Sequence, residues 1–347
     1  MIIVNARFLT QKLTGVQRYA YEICKRLPAE VNGHDLIFVV PKTELINHLE
    51  TKHKVSSIGI NKGNLWEQLD LPLFLKKKGN PLLINFVGIA PVFYKNKIMF
   101  LYDLAFKHHP EWFSLKFHKT YNLLIPLSLK NSVLIITDSN YVKSDIHKVY
   151  GIQNEKIEVI YAAASSLFLN KSLPKEKIIL TVSSIDPRKN LDRVVKAFSQ
   201  LSAGYKLFIV GSKNKTFSNI DLMRINRKDN IIFTGYLSDE ELIELYNKAE
   251  IFIYASLFEG FGIPPLEAQA CGCPCIVSNV TSLPEVYSDS VEYCKPNSIK
   301  SISNAMENLI NDVEKRDNLT KKGFDNIKRY SWQLSTNKLI KLLENIQ

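Results

Sequence analysis

Short apolar segments alternate with amphipathic segments along almost the whole chain, and this alternation constrains the fold more than any other feature. The apolar runs have the length of buried strands, and the stretches between them place apolar residues three and four positions apart, as helices do. Strands that alternate with helices form parallel sheets through βαβ units. The predicted strands are residues 2–4, 36–40, 82–86, 98–102, 133–137, 178–182, 206–210, 231–234, 251–254, 275–277 and 291–294. The predicted helices are residues 15–27, 191–201, 239–249, 264–270, 299–312 and 332–346.

These elements form two arrays, which predict two domains. The length of 347 residues also exceeds what one hydrophobic core usually supports. We place the first domain at residues 1–165 and the second at residues 173–330, joined by the small and polar residues of 162–174. Ligands of such doubly wound sheets bind beyond the carboxyl ends of the strands.

The composition is that of an ordinary globular protein, with 46% apolar and 23% charged residues. No apolar run reaches the roughly 18 residues that cross a bilayer, and the N-terminus lacks a basic leader, so we expect a cytoplasmic location. The five cysteines are an odd number. Cys271, Cys273 and Cys275 have the spacing of a metal site, but without a nearby histidine cluster they are better explained as small packing residues.

The net charge of +11 is distributed unevenly. Residues 1–170 carry 21 Lys or Arg against 13 Asp or Glu, whereas residues 171–347 carry 24 against 21. The basic half predicts an anionic partner: a membrane surface, a pyrophosphate-linked lipid or a nucleic acid. Because no nucleic-acid motif is present, we favour peripheral contact with an anionic lipid surface and no nucleic acid.

Two glutamates eight positions apart carry the strongest chemical signal. Glu259 lies on the loop after the predicted strand 251–254, and Glu267 lies about one turn inside the predicted helix 264–270. Two carboxylates placed in this way can accept hydrogen bonds from pairs of vicinal hydroxyls, which both sugars and riboses carry. Glycines between them let the backbone approach a ligand, and the amides of a helix start favour anions.

This segment resembles the E-x7-E signature of the retaining glycosyltransferases of family GT4, which have the GT-B fold. Further residues that match the pattern are Phe258, Gly260, Gly262, Pro264, Pro265, Gly272 and Pro274. The resemblance implies an α/β fold of two Rossmann-like domains facing across a cleft, in which the first domain binds the acceptor and the second binds the nucleotide-sugar donor. It implies that Glu259 faces the donor sugar, with the backbone of Gly260, Phe261 and Gly262 beside it, and that Glu267 binds the nucleotide ribose. It also implies that the helix 332–346 returns to the first domain; a cap on the second domain is the alternative.

Two adjacent cations follow the predicted strand 178–182. Arg188 can grip a diphosphate with two hydrogen bonds, and Lys189 supplies a compact charge. The loop resembles the donor-diphosphate motif of the family, in which an arginine is common at the position of Ser184. Arg188 replaces that arginine in our interpretation. Two solvated loop charges are the alternative.

The first half contributes two candidate positions. Gly15 opens the first helix, and the resemblance implies that its loop approaches the donor phosphate and the acceptor; a plain turn would explain this glycine equally well. Asp103 matches the family's His-Asp segment, although Tyr102 stands where histidine is common. Asp103 either positions or deprotonates the acceptor hydroxyl or caps a turn, and His108 and His109 are interpreted as rim or surface residues.

Two weaker matches remain. Leu237 precedes the predicted N-cap Ser238, in a segment where relatives hold the nucleotide base. Residues 66–68, Trp-Glu-Gln, resemble bacterial polysaccharide glycosyltransferases of the family, and helix packing is their favoured role.

The resemblance implies a metal-independent, retaining hexosyltransferase with no cofactor. Its expected donor is a nucleotide sugar, with GDP-mannose ahead of UDP-hexoses and dTDP-rhamnose. Its expected acceptor is a bacterial surface glycan such as O-antigen on a lipid carrier. No Asp-x-Asp metal-binding sequence is present. An epimerase or phosphorylase of the same fold, a non-catalytic sugar-nucleotide scaffold, and a nucleic-acid binder are the alternatives.

Overall fold

A computed structural model describes residues 1–49, 53–201, 204–211 and 230–346. The chain forms two compact units. The first comprises Met1–Leu104, His118–Ala162 and the chain from Trp332 onward, and the second comprises Ala105–Phe117 and Ala163–Ser331. The second unit therefore includes a short segment from the first half of the sequence, which the predicted domain ranges assign elsewhere. In that segment the rings of His108 and His109 contact Phe258, with centroids 5.6 and 6.0 Å away.

The first unit is built on a sheet of eight strands. They are β1 (Ile2–Asn5), β2 (Glu30–Val31), β3 (His34–Pro41), β4 (Lys54–Ile58), β5 (Leu82–Asn85), β6 (Lys97–Phe100), β7 (Leu134–Thr137) and β8 (Ile157–Val159). The order across the sheet is β2-β3-β1-β5-β6-β7-β8, and β4 also pairs with β3. All pairings are parallel except that of β2 with β3. The strand order reverses between β1 and β5, which is therefore the topological switch point of this sheet.

The helices of the first unit cover the sheet and include the end of the chain. The described helical segments are Arg7–Thr10, Gly15–Cys24, Gly63–Leu65, Trp66–Asp70, Leu71–Lys77, Leu115–Lys130, Asn140–Tyr150, Asn154–Lys156 and Trp332–Ile346. Residues 115–117 of the helix Leu115–Lys130 belong to the second unit. Trp332 packs edge-on against Tyr19, with centroids 5.2 Å apart. The Ser335 hydroxyl donates to the Tyr161 carbonyl at 2.6 Å. The last helix thus lies on the first unit, as the resemblance implies.

The second unit is built on six strands, all parallel. They are β9 (Glu176–Val182), β10 (Lys206–Val210), β11 (Ile231–Gly235), β12 (Ala249–Tyr254), β13 (Cys275–Ser278) and β14 (Glu292–Cys294). Their order is β11-β10-β9-β12-β13-β14. This is the Rossmann order, in which the first strand in sequence lies at the centre and the direction of winding reverses beside it. The switch point is between β9 and β12.

The helices of the second unit bury their apolar faces against this sheet. Those in the described part of the unit are Ala105–His108, Pro110–Trp112, Pro187–Lys189, Leu191–Phe198, Asp239–Lys248, Pro264–Ala270, Leu283–Tyr287, Ile299–Asn311 and Val313–Ile327. Helix Leu191–Phe198 buries Val194 and Phe198 in the same core as Met306 of helix Ile299–Asn311. The five cysteines are buried and unpaired. Burial raises the pKa of Cys271 to about 12, so its thiol stays protonated as a packing group does.

Every predicted strand is present, with bounds that shift by a few residues. The three strands that were not predicted are β2, β4 and β8. β4 is polar and mostly exposed, as an edge strand is, so it lacks the apolar run used to find the others. Within the described part of the chain, no helix is long and apolar enough to cross a membrane.

Candidate active site

The loops that follow β9 and β12 meet at the switch point of the second unit, where parallel sheets bind ligands. The Leu257 amide donates to the Arg188 carbonyl at 2.8 Å. The Asn190 side chain donates to the carbonyls of Ala255 and Pro296 at 2.9 and 2.8 Å. These bonds fix the cation-bearing loop to the loop that carries Glu259.

A buried ion pair joins the two loops. Lys189 Nζ lies 2.6 Å from Glu259 Oε1 and also donates to the Tyr254 hydroxyl at 2.7 Å. A guanidinium nitrogen of Arg188 lies 3.9 Å from Glu259 Oε2. The side chains of Lys189 and Glu259 are 8% and 6% exposed. One carboxylate therefore faces two cations in a largely dry environment, where their mutual attraction is much stronger than in water.

The pKa values of Glu259 and Lys189 are set by two opposing effects, burial and the attraction between their charges. Burial by itself would raise the pKa of Glu259, but the charges of Lys189 and Arg188 outweigh it and hold that pKa below its ordinary value. Burial lowers the pKa of Lys189, an effect that Glu259 opposes and Arg188 reinforces. Loss of Glu259 would leave Lys189 buried without its carboxylate, and loss of Lys189 would leave Glu259 with only the more distant Arg188.

The Glu259 loop is anchored to the segment after β13. The Glu259 amide donates to Thr281 Oγ1 at 3.1 Å, and the Ser282 hydroxyl donates to the Glu259 carbonyl at 3.0 Å. Gly262 has φ +86°, and a Cβ there would lie 2.7 Å from Leu283 Cδ2. Any larger residue would strain the backbone and collide with the Leu283 side chain, which explains why the loop needs glycine at this position.

The cation loop is shaped by a buried aspartate. Asp186 caps the short helix Pro187–Lys189, with Oδ1 accepting from the Arg188 amide at 3.1 Å. Its Oδ2 accepts from the Ser184 hydroxyl at 2.6 Å. Ser184, which stands where the family often has an arginine, thus uses its side chain to hold the loop.

The second glutamate lies where the sequence predicts, in helix Pro264–Ala270. Glu267 is 8% exposed, and its Oε2 accepts from the Tyr246 hydroxyl at 3.3 Å. Between the two glutamates, Gly260 and Phe261 are buried, and the Phe261 ring contacts Tyr330 with centroids 5.4 Å apart. Phe261 thus supports the loop through packing.

Leu237 lies half-buried in the loop after β11. It directly precedes Ser238, whose hydroxyl accepts from the Glu241 amide while the Glu241 carboxylate accepts from the Ser238 amide. This capping box fixes the end of the loop that carries Leu237.

Gly15 and Asp103 belong to the first unit. Gly15 opens helix Gly15–Cys24, and a Cβ built on it would meet nothing within 4 Å. Asp103 follows β6, and its neighbour Tyr102 packs against Tyr19 with centroids 5.0 Å apart. The Tyr102 hydroxyl is buried without a hydrogen-bond partner among the described residues. Tyr102 therefore packs in an aromatic cluster, unlike a polar histidine.

The structure adds Tyr254, Thr281 and Ser282 to the predicted site residues. Tyr254 is the last residue of β12, so its position at a strand end was the only sequence signal for it. Thr281 and Ser282 are distant in sequence and carry no motif. Among the described residues, no group of three His, Cys, Asp or Glu side chains could hold a metal ion. A surface cavity of about 380 Å³ beside β14 shares none of the predicted site residues.

The ion pair can be tested by a double-mutant cycle in the unfolding free energy. Lys189→Met leaves Glu259 buried with weaker compensation and should destabilise the protein by about 3 kcal/mol. The loss should shrink at acid pH, because the pKa of Glu259 rises when Lys189 is removed and the carboxyl protonates more readily. Lys189→Met/Glu259→Gln should be less destabilised than the sum of the two single variants. Additive effects in urea unfolding would contradict a direct pairing.

Two family models match, and together they cover most of the chain. The model described as "Glycosyltransferase Family 4" matches residues 13–164, and "Glycosyl transferases group 1" matches residues 166–325. The boundary between the two matches falls close to the division between Ala162 and Ala163 in the structure.

Curated relatives agree with these matches. The O-antigen chain mannosyltransferase RfbU of Salmonella typhimurium is 31% identical over 261 residues, covering 74% of this chain and 73% of the relative. The O-antigen chain mannosyltransferase B of Escherichia coli is 27% identical, covering 98% of each chain. The crystal structure of Anabaena HepE in complex with UDP and glucose is 16% identical, covers 99% of each chain and has a TM-score of 0.76. The resemblance inferred from Glu259 and Glu267 is confirmed: the chain belongs to the family 4 glycosyltransferases and has their GT-B fold.

Proposed function

We propose that the protein transfers a hexose from a nucleotide-diphosphate sugar, with GDP-mannose as first choice, to a glycan on a lipid carrier, with retention of the anomeric configuration. The observation that carries this proposal is the pair of cations at the switch point, held against Glu259 at the carboxyl ends of β9 and β12. The curated relatives are O-antigen mannosyltransferases, which supports mannose and a bacterial surface polysaccharide.

The donor diphosphate would bind Arg188 and Lys189. A diphosphate brings about two negative charges, which two cations can balance. When the phosphates engage Lys189, the Glu259 carboxylate gains free lone pairs for the hydroxyls of the sugar. Glu267, one turn inside the next helix, is the proposed partner of the ribose.

Transfer then needs stabilisation of the departing diphosphate. Asp186 holds the backbone of Arg188, and Glu259 holds Lys189, so both cations lie at the switch point before the donor binds and can stabilise the departing diphosphate there. The bond between the anomeric carbon and the phosphate oxygen breaks as the acceptor oxygen bonds to the same face of the carbon. The acceptor proton passes to the departing phosphate oxygen. We propose that no divalent cation is required, since the two side chains balance the charge.

An epimerase or a phosphorylase is not supported, because the family matches and the curated relatives are transferases. A nucleic-acid binder has no support in these comparisons either.

The donor can be identified by its effect on thermal stability. GDP-mannose should raise Tm, because a ligand present at about 100 times its Kd stabilises a protein by roughly 2.7 kcal/mol. The test compares GDP-mannose, UDP-glucose, UDP-galactose and dTDP-rhamnose, each with and without EDTA. Lys189→Met should lose the response. A shift only with a UDP-hexose would replace the proposed donor, and a shift that EDTA abolishes would restore a metal to the mechanism.

Gly15 provides a test that separates ligand approach from folding. Alanine fits the space around residue 15 and is the better helix former, so Gly15→Ala should keep or slightly raise the unfolding free energy. If a substrate lies against this helix start, the added methyl group should nevertheless lower kcat/KM about tenfold or more. Gly151→Ala serves as the contrasting variant: it also meets no atom within 4 Å, but φ +66° at a helix C-cap strains alanine, so it should lower the unfolding free energy and leave kcat/KM unchanged. A Gly15→Ala enzyme with unchanged kinetics would assign this glycine to a plain turn.

For the lipid-linked acceptor, we propose that the first unit binds an anionic membrane surface through exposed apolar side chains and lysines. Leu65, Leu69 and Leu73 form a stripe at helical spacing and are 61%, 51% and 60% exposed. Phe93 is 89% exposed. It adjoins Val92, whose backbone amide donates to the Gln68 side chain at 2.9 Å, so Phe93 follows a residue that is bound to the helical segment carrying the stripe.

The charges around this stripe suit anionic lipid. The lysines between residues 60 and 95 are Lys62, Lys76, Lys77, Lys78 and Lys95, and all are exposed. Of the two acids in that segment, Glu67 is buried, and Asp70 accepts hydrogen bonds from the backbone of Ile60 and Asn61. Each lysine near an anionic surface contributes roughly 1 kcal/mol to binding.

Vesicle sedimentation tests this surface. The protein should bind vesicles that contain phosphatidylglycerol more strongly than vesicles of phosphatidylcholine alone, and salt should weaken binding. Leu69→Ser/Leu73→Ser/Phe93→Ser should lose binding while keeping the Tm response to the donor. The control Val313→Ser/Leu334→Ser changes apolar residues that are 59% exposed elsewhere. Equal loss in both variants would contradict a specific surface.

A further inference from the structure

The first unit carries a second buried acid–cation pair at its own switch point, between β1 and β5. Asn5 and Asn85 are the last residues of these strands and are paired in register. Both are buried, and Asn5 Nδ2 donates to Asn85 Oδ1 at 2.6 Å. Asn5 Nδ2 also donates to Glu67 Oε1 at 3.2 Å. Amide side chains thus replace the usual apolar residues at the end of the sheet where ligands bind.

The acid of this cluster is Glu67, which is completely buried. Its Oε1 accepts from Arg7 Nε at 2.9 Å and from Asn5 Nδ2 at 3.2 Å. Burial raises the pKa of Glu67 to about 7, against the opposing effects of the Arg7 charge, the hydrogen bonds from Asn5 and Arg7, and the Ile89 amide. A completely buried carboxylate is costly, so its retention calls for an explanation beyond packing.

The backbone is shaped around this pair. Gly88 has φ +81°, and a Cβ there would lie 2.7 Å from both Arg7 Nη2 and Glu67 Oε1. Only glycine allows the loop after β5 to approach the pair so closely. The cluster is therefore accommodated by three separate segments: the loops after β1 and β5 and the helical turn Trp66–Asp70.

The neighbours of Glu67 in the sequence have other tasks. Trp66 is fully buried in the core with Ile3 and Leu83, and its indole donates to the Ile58 carbonyl at 2.9 Å. Gln68 bonds the loop after β5 through the Ile89 carbonyl and the Val92 amide. Packing therefore accounts for Trp66 and Gln68, as the sequence interpretation expects, but not for Glu67.

Arg7 is the member of the pair that reaches solvent. Its side chain is 15% exposed. Its only side-chain hydrogen bond within the described residues uses Nε, so both terminal nitrogens are available to a ligand. The orientation of this fork is fixed by Glu67, as a guanidinium bound through Nε is by its carboxylate.

The charges around Arg7 favour a neutral ligand. Glu67 offsets the charge of Arg7 through the hydrogen bond at 2.9 Å, so an anion would gain less here than at an unpaired cation. Sugar hydroxyls carry no charge and can accept hydrogen bonds from the Arg7 guanidinium.

We propose that Arg7, held in position by Glu67, binds sugar hydroxyls of the acceptor glycan at the switch point of the first unit. This inference rests on the proposed glycosyl transfer and assigns its acceptor subsite. Arg7 contacts the substrate, and Glu67 acts through Arg7 as a positioning residue.

Steady-state transfer from the donor to alkyl glycosides, beginning with octyl α-D-mannopyranoside, tests the assignment. Arg7→Lys keeps the positive charge but loses the two terminal nitrogens of the guanidinium. It should raise the acceptor KM about tenfold or more, because one or two charge-assisted hydrogen bonds are lost. The kcat and the affinity for the free nucleoside diphosphate, measured by calorimetry, should stay near wild type. Glu67→Gln should raise the same KM, and Arg7→Lys/Glu67→Gln should add little to the single variants, because both act on one contact.

The matched control is Glu22→Gln, which breaks another buried pair of the first unit, with Arg26 at 2.6 Å. It should leave the acceptor KM unchanged, and Tm measurements verify that all variants are folded. An unchanged acceptor KM in Arg7→Lys, or equal increases in Glu22→Gln, would overturn the inference. So would a wild-type enzyme that binds the donor but uses no alkyl glycoside, since sugar hydroxyls would not suffice for recognition. Failure of the wild type to bind any nucleotide sugar would instead overturn the proposed function.

Discussion

The buried contact between Lys189 and Glu259 determines how the second unit presents its functional groups. Desolvating two charges costs more than an exposed pair would, and a packed apolar pair of similar size would often be as stable. Such a pair is well suited to a site that exchanges partners, because an incoming diphosphate can take the lysine while the carboxylate turns to hydroxyls. The Rossmann strand order explains its location, since the loops after β9 and β12 meet at the switch point, where such sheets bind ligands.

The same arrangement occurs in the first unit with different electrostatics. Glu67 and Arg7 lie at the switch point between β1 and β5. Glu259 and Lys189 lie at the corresponding switch point between β9 and β12. In the second unit two cations face one carboxylate, and we propose a diphosphate as their ligand. In the first unit one cation is paired with one carboxylate, and we propose neutral hydroxyls. On these proposals, the balance of charge at one topological position distinguishes the two ligand classes.

Periodicity predicted the strands and the two-domain organisation because buried parallel strands are nearly continuous apolar runs. It missed β4, which is polar and exposed, and it could not separate Ala105–Phe117 from the first domain, since that assignment depends on ring contacts with Phe258. The motif around Glu259 and Glu267 predicted the family. Its resemblance also named Lys189 and Glu259, which the structure places together at the switch point between β9 and β12. Tyr254 and Thr281 could not be found in this way, because their roles arise from packing between segments distant in sequence. Glu67 was assigned to packing, since nothing in the sequence shows that Arg7 lies beside it. The individual roles of the site residues remain predictions.

A crystal structure of the protein with GDP, grown without divalent cations, tests the central claim most directly. We expect the diphosphate within hydrogen-bonding distance of Lys189 Nζ and the Arg188 guanidinium, with the 2.6 Å contact between Lys189 and Glu259 lengthened or broken. A diphosphate bound away from the carboxyl ends of β9 and β12, with that contact intact, would contradict the account.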